Sequence, residues 1–265
     1  MKFKIHHIDA FTDVVFKGNY AAVIVTEEWL PDNLMQSIAA ENNLSETAFV
    51  KRIGLGSFGI RWFSPLIEID FCGHATLAAA FVLFEENRSL KNLIITAETV
   101  GKLEIKRGEG GFIDMLFPER FPGNVDSVPG ELLKGLSIKP AEVFRNQQAY
   151  FAIYLKEEDI YSVKPNAEEL KKLAPYDVVV TCKSKKYDFI SRYFWPANGM
   201  TEDPVTGSIH AGLAPFWAER LNKTTMTAMQ VSSRGGILKC RMSKNGVIIS
   251  GKAVRYLEGY IYVPV

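Results

Sequence analysis

The feature that most constrains this fold is a predicted helix with no hydrophilic face. The stretch from Ile69 to Glu85 predicts a helix that starts near Gly73 and has an apolar body. A helix that is apolar all round must be buried on every side, and its flanking residues favour a sheet wrapped around it. The accessible part is then the N-terminus, where the N–H groups of Gly73, His74 and Ala75 and the helix dipole favour an anion.

The second half of the chain repeats the order of the first. Three segments recur, 61–65 as 192–196, 73–76 as 207–210 and 101–105 as 236–240, with residue numbers that differ by 131, 134 and 135. Nearly constant offsets are typical of a duplicated domain. The repeat predicts a second buried helix that begins at Gly207.

The predicted fold is α+β, with two pseudo-symmetric domains, each a β-barrel-like sheet wrapped around a central buried helix. The segment 117–123 contains two prolines and a glycine, which predicts the domain boundary there. The predicted domains are 1–118 and 119–257.

Composition excludes several classes of protein. The chain has 265 residues, 47% of them hydrophobic, which is enough for two buried cores. Lys plus Arg is 31 against 30 for Asp plus Glu, so no nucleic-acid or membrane partner is expected. The three cysteines are odd in number and widely spaced, which favours a reducing compartment. With no apolar signal core or membrane-length run, we expect a cytoplasmic protein.

Two such halves facing one another would form a cleft. Ligand sites commonly form between domains, so the helix tips at Gly73 and Gly207 can converge on one ligand. Ser208 adds a hydroxyl beside Gly207, which suits a carboxylate or a phosphate. A small molecule that carries a carboxylate is therefore the predicted partner.

Three residues are candidates for acid/base chemistry, and each has a plainer alternative. Glu46 enters an otherwise uncharged strand, although a lone Glu is often a surface carboxylate. His74 lies one residue into the buried helix, where a histidine can be purely structural. Asp203 would lie opposite His74 across the cleft, or would cap the following turn.

Cys72 and Asn19 complete the candidate site. Cys72 precedes the first helix tip, where the pKa of a thiol can be lowered, but a small buried hydrophobe is the favoured interpretation. Asn19 follows Gly18 and favours turn chemistry over ligand contact. No metal site is predicted, because the histidines and cysteines lack ligand spacing. The glycine-rich run 54–59 lies between strands and predicts a hairpin turn, not a dinucleotide loop.

Four ordered motifs support a family resemblance that runs nearly end to end. They are Ile8–Asp13, Asn43–Phe49, Cys72–Thr76 and Glu202–Ser208. With these motifs the chain resembles the phenazine-biosynthesis PhzF-like proteins, which have the diaminopimelate epimerase-like fold. The resemblance implies two similar domains with a cleft, no cofactor and a homodimer. It also implies that the final strand, 258–265, returns to the first domain.

The resemblance also implies roles for single residues. The residue matching Glu46 moves a proton between carbons of a cyclic amino-acid substrate, and those matching His74, Asp203 and Ser208 line the same site. Ser208 and its glycine hold the substrate carboxylate. Tyr20, where many members have proline, and Ile209, where alanine is usual, are departures that leave the substrate open.

Related racemases of this fold use two cysteines, one before each helix tip, whereas this chain has only Cys72 at such a position. The sequence therefore predicts a cofactor-independent isomerase that moves a proton by general acid/base catalysis on an amino-acid-like or cyclic carboxylate. Two alternatives stay open. One is an epimerase or racemase that uses Cys72 alone, and the other is a non-catalytic protein that binds small anions.

Overall fold

A computed structural model describes residues 1–263, without the side chain of Asn198. The chain divides into two compact units. One contains Met1–Leu116 and the C-terminal segment from Ser250, and the other contains Phe117–Ile249.

The fold is mixed α+β and dominated by strands, as predicted. The first elements in chain order are β1 (Lys2–Ala10), β2 (Asn19–Thr26), α1 (Asp32–Asn42), β3 (Glu46–Gly54), β4 (Ser57–Phe63), β5 (Glu68–Ile69), α2 (Gly73–Glu86), β6 (Asn92–Ala97), β7 (Gly101–Arg107) and β8 (Ile113–Phe117). They are followed by β9 (Gly123–Asn124), α3 (Gly130–Gly135), β10 (Glu142–Arg145), β11 (Ala149–Ile153), α4 (Glu157–Ser162), α5 (Ala167–Leu170), β12 (Asp177–Lys183), β13 (Phe189–Trp195), β14 (Met200–Asp203), α6 (His210–Leu221), β15 (Thr225–Gln230), β16 (Gly236–Ser243), β17 (Gly246–Gly251) and β18 (Ala253–Tyr262).

The two units repeat the same strand pairings. In the first unit, β2 runs parallel to β3, β3 antiparallel to β4, and β4 parallel to β6. In the second unit, β11, β12, β13 and β15 make the same sequence of pairings. The register also repeats, since Ala48 faces Trp62 and Val179 faces Tyr193. The predicted duplication is confirmed strand by strand.

A matching ion pair supports each copy of the strand that leads toward the buried helix. Arg61 of β4 donates two hydrogen bonds to Glu68, at 2.7 and 2.6 Å. Arg192 of β13 donates two to Glu202, at 2.8 and 2.9 Å. A bidentate guanidinium–carboxylate pair fixes geometry as well as charge, so both copies orient β5 and β14 in the same way.

Helix α2 is the predicted core helix of the first unit. It begins at Gly73, as expected, and its residues are buried through Phe84 apart from a partly exposed Phe81. It packs against β1, β2, β3 and β18 of the same unit. The prediction of a helix enclosed by a sheet is confirmed.

The second core helix begins later than predicted. Helix α6 starts at His210, and Gly207 lies in a tight turn before it. The His210 ring Nδ1 lies 2.8 Å from the Thr206 carbonyl oxygen, while the His210 backbone N–H donates to Gly207. Because the imidazole occupies the carbonyl that a helical N–H would use, regular α-helix starts three residues after Gly207.

Pro215 lies inside α6 without breaking it. A proline cannot donate to the carbonyl four residues earlier, which here belongs to Ala211. That carbonyl accepts the backbone N–H of Arg120 instead, at 3.0 Å. The hydrogen bond that proline removes is thus replaced from outside the helix.

The C-terminal strand belongs to the first unit. β18 pairs antiparallel with β1, from Lys2 opposite Tyr262 to Ala10 opposite Ala253. Of the predicted strand 258–265, residues 264 and 265 lie outside the described residues. Within residues 1–263, no helix combines the length and apolarity needed to span a membrane.

Gly251 marks a site where the first unit has no room for a side chain. A Cβ there would lie 2.4 Å from Phe11 Cδ1 and 2.7 Å from Leu77 Cδ2, and both of those side chains are fully buried. We expect Gly251→Ala to lower the free energy of unfolding by about 1–3 kcal/mol, as overpacking does. Gly54, which has nothing within 4 Å of its Cβ position, is the matched control. In urea denaturation, equal effects of Gly251→Ala and Gly54→Ala would contradict this packing.

Candidate active site

The first unit brings Glu46 and His74 into contact. Glu46 opens β3, paired with Ala21 of the parallel strand β2, and is only 3% exposed. His74 is the second residue of α2 and is 5% exposed. Its Nε2 lies 2.7 Å from Glu46 Oε2. Two groups that exchange protons readily are therefore held together away from water.

The contact leaves Glu46 with an available acceptor. Apart from the 2.7 Å contact with His74 Nε2, the buried Oε2 has no polar partner among residues 1–263. A buried carboxylate oxygen without a full set of partners is unusual in a purely structural ion pair. The arrangement suits a proton acceptor.

Asn19 holds the other side of the imidazole. It is fully buried, and its Nδ2 lies 3.1 Å from His74 Nδ1. Ser45 donates to Asn19 Oδ1 at 3.2 Å, which orients the amide so that the NH₂ faces the ring. The interpretation of Asn19 as a turn residue is wrong, because the left-handed turn is made by Gly18 and Asn19 begins β2.

The surroundings of His74 keep a proton on its Nε2. Burial by itself lowers the pKa of His74, but the adjoining Glu46 carboxylate holds that pKa above its usual value. If the ring is neutral, the Asn19 NH₂ opposite Nδ1 selects the tautomer with hydrogen on Nε2. In both protonation states, Nε2 carries a hydrogen on the side of Glu46.

Cys72 adjoins the pair but is poorly suited to be the base. Its Sγ lies 3.4 Å from His74 Nδ1. Burial, with a contribution from the charge of Glu46, raises the pKa of the Cys72 thiol to about 11. The thiolate is the nucleophilic and basic form of cysteine, so the protonated thiol predominates near neutral pH.

Glu46, Cys72 and His74 also offer three metal-ligand types. One donor atom from each lies within 4.8 Å of the others, a grouping that spacing along the sequence does not reveal because Glu46 comes from a different element. Zinc binds thiolate, imidazole and carboxylate, but a protonated Cys72 and the direct contact between His74 and Glu46 do not match a prepared metal site. The absence of a metal site stays a prediction.

In the second unit, Asp203 and Thr206 are bound into one loop. The Thr206 hydroxyl donates to Asp203 Oδ2. Gln230, which is fully buried, accepts the Thr206 N–H at 2.9 Å and donates to the Asp203 carbonyl at 2.8 Å. Asp203 is therefore buried and positioned, not merely a cap. Its approach to His74 across a cleft stays a prediction.

Ser208 is linked to a chain of polar side chains. Gln148 Nε2 donates to Ser208 Oγ at 2.9 Å and to the Tyr193 hydroxyl at 3.1 Å. Tyr193 in turn donates to Asp177 Oδ2 at 2.6 Å. Gly207 is buried beside Ser208 in the turn before α6. The orientation of Ser208 is thus supported within the second unit.

Sequence reasoning missed the supporting residues of both units: Ser45, Gln148, Asp177, Tyr193 and Gln230. Ser45, Gln148 and Gln230 are polar residues at a strand end or in a loop, where nothing in a single sequence separates them from surface residues, and Tyr193 lies within β13. Asp177 carried a usable signal, because it follows Glu46 by the same 131 residues that separate Arg61 from Arg192.

Comparison with known proteins gives consistent similarities. A family model described as phenazine biosynthesis-like protein, PhzC-PhzF, matches residues 8–259. An uncharacterized isomerase of Pseudomonas aeruginosa is 43% identical over 264 residues, covering 99% of this chain and 100% of that protein. A crystal structure of a PhzF-family phenazine biosynthesis protein from Enterococcus faecalis is 42% identical with a TM-score of 0.94, covering 99% and 100% of the two chains.

A more distant structure shares the fold alone. A hydroxyproline epimerase from Agrobacterium vitis has a TM-score of 0.60 at 10% identity, covering 98% of this chain and 92% of that one. The epimerase-like fold therefore extends well beyond the proteins that are similar in sequence.

Proposed function

This chain belongs to the PhzF-like family of phenazine biosynthesis-like proteins, and we propose that it is an isomerase that moves a proton within a small carboxylate-bearing substrate. Relatives of this chain carry the name isomerase. The observation that carries the proposal is the buried contact between Glu46 and His74, at 2.7 Å. The reaction uses general acid/base catalysis and needs no cofactor.

Glu46 is the base that takes a proton from a substrate carbon. Its carboxylate is buried and lies 2.7 Å from His74 Nε2, so the proton acceptor is held in place beside a hydrogen-bond donor. His74 Nε2–H steadies the carboxylate before transfer, and protonated Glu46 exchanges its proton with solvent before it delivers a proton to a second carbon. Base and acid are the same residue, so no net proton is gained or lost.

The donors proposed for the substrate carboxylate lie at the N-terminus of α2 and in the turn before α6. The N–H groups at Gly73 and in the turn at Gly207 suit an anion, and Ser208 adds a hydroxyl donor. The substrate is amino-acid-like or cyclic. Asp203, buried at the end of β14, is proposed as a further acid/base residue.

Solvent exchange tests this function. We expect the protein to incorporate deuterium from D₂O into a carbon of at least one compound in a panel of amino acids and cyclic carboxylates, followed by NMR. A protein that binds a member of the panel by calorimetry but never exchanges a carbon-bound proton is a small-anion binder, and the proposal fails.

Ser208 provides a separate test of binding. With the substrate found by exchange, Ser208→Ala should weaken binding by about 1 kcal/mol, the contribution of one hydrogen bond. The exposed Ser89 is the matched control, and Ser89→Ala should leave the affinity unchanged. If calorimetry finds the same affinity for both variants, Ser208 does not hold the carboxylate.

A further inference from the structure

Asp177 occupies in the second unit the place that Glu46 occupies in the first. Glu46 opens β3 opposite Ala21 of the parallel strand, and Asp177 opens β12 opposite Ala149 of its parallel strand. Both carboxyl groups therefore stand at the entrance of the equivalent strand. The function described above uses Glu46 and leaves Asp177 unassigned.

Asp177 begins a continuous chain of hydrogen bonds that ends at Ser208. Tyr193 is only 1% exposed, and its hydroxyl donates its single proton to Asp177 Oδ2, with 2.6 Å between the two oxygens. The tyrosine oxygen can then only accept, and it receives Gln148 Nε2 at 3.1 Å. The same NH₂ donates to Ser208 Oγ at 2.9 Å. Ser208 is an acceptor in this chain, so its own proton stays available.

The geometry points to Asp177 as a positioning residue that, through Tyr193 and Gln148, keeps the Ser208 hydroxyl turned toward the substrate carboxylate. This inference rests on the proposed function, in which Ser208 holds that carboxylate. Gln148 is fixed beside Asp177 by the backbone as well, since the Asp177 N–H donates to the Gln148 carbonyl at 3.1 Å.

The Gln148 amide allows the donors and acceptors along this chain of hydrogen bonds to be reversed. Its Oε1 is buried and has no hydrogen-bond partner among residues 1–263. If Asp177 gains a proton, it donates to Tyr193, whose own proton then needs an acceptor. Rotation of the Gln148 amide supplies Oε1 to Tyr193 and also brings it to Ser208, which then donates to Gln148. The substrate carboxylate loses its hydroxyl donor.

The direction of the pH effect follows from the groups around Asp177. Burial raises the pKa of Asp177 to about 6, the hydrogen bond from Tyr193 of β13 opposes this, and the charge of Asp203 on β14 adds to it. Above that pH the Asp177 carboxylate accepts the Tyr193 proton, and the Gln148 NH₂ donates to Ser208. As the pH falls through it, Asp177 becomes protonated and carboxylate binding weakens.

The test follows the Gln148 side-chain NH₂ signals by NMR, assigned by their loss in Gln148→Met. In the whole protein without ligand, we expect these signals to move with a midpoint near pH 6 and to stay fixed in Asp177→Asn. Asp188→Asn is the matched control, because Asp188 is paired with Lys223 in the same unit and should leave the movement unchanged. Fixed signals in the wild type, or movement that survives in Asp177→Asn, would overturn the inference.

A titration with L-proline separates this inference from the proposed function, because both charges of proline are constant across this pH range. The affinity should be roughly fivefold lower at about pH 5 than at about pH 7.5, as expected for one lost hydrogen bond, and should be flat in Asp177→Asn and in Ser208→Ala. Movement of Gln148 with a flat wild-type affinity would overturn the link from Asp177 to Ser208. Movement of Gln148 with no shift at Gly207 or Ser208 on adding proline would count against the carboxylate site itself.

Discussion

Glu46→Gln should reduce exchange of the substrate's carbon-bound proton by on the order of 100-fold or more, the range for loss of a general base. Glutamine keeps the size of the side chain and a hydrogen-bonding oxygen, but it cannot accept the proton from carbon. Substrate binding should survive, because the proposed carboxylate donors at Gly73, Gly207 and Ser208 are unchanged. The rate of deuterium incorporation and the dissociation constant of the substrate are both measured for Glu46→Gln and for the wild type.

The matched control is Glu142→Gln. Glu142 also opens a strand, β10, but it is exposed and paired with Arg220. Its replacement should leave exchange intact. If Glu46→Gln lost binding and exchange in equal proportion, Glu46 would be a binding residue and not the base.

His74→Leu should have the second largest effect, and it should affect both stability and activity. It leaves the Glu46 carboxylate buried without its partner, which costs about 3 kcal/mol or more in the free energy of unfolding. It also removes the Nε2–H that steadies the base, so exchange should fall on the order of 100-fold. Urea denaturation and the exchange rate measure the two effects separately.

A double-mutant cycle isolates the contact from other effects of the substitution. In a Glu46→Gln background the buried charge is gone, so His74→Leu should cost clearly less than in the wild type. An equal cost in both backgrounds would show that the ion pair contributes nothing and that the loss comes from packing of the imidazole alone.

The fold could be predicted from sequence where its signals were local or repeated. The apolar body of α2 allows no exposed face, so its burial by strands followed from composition around Gly73 alone. The duplication was visible because segments such as Arg61–Pro65 and Arg192–Pro196 kept their order and spacing. The repeat implies that both halves share one strand register, which the structure then supplies.

The predictions for the start of α6 and for Asn19 were wrong because both depend on side-chain contacts that form only in the folded structure. Gly207 matches Gly73, and the sequence gives no sign that the ring of His210 will take the Thr206 carbonyl and delay the start of α6. Asn19 was misjudged because its neighbour Gly18 is a strong turn signal, whereas its contact with His74 joins residues 55 positions apart. Such contacts depend on tertiary structure and leave little trace in local pattern.

Cys72 could not be judged from sequence either. A cysteine before a helix tip can have a lowered pKa, and only the structure shows that burial and the nearby Glu46 act in the opposite direction. The choice between a carboxylate base and a thiolate base depends on this difference.

Deuterium exchange followed by NMR in Cys72→Ala and Glu46→Gln, measured side by side on the same substrate, tests the central claim most directly. If Glu46 is the base, exchange persists in Cys72→Ala and disappears in Glu46→Gln. Exchange that disappears in Cys72→Ala and persists in Glu46→Gln would contradict this account and would establish a one-cysteine epimerase.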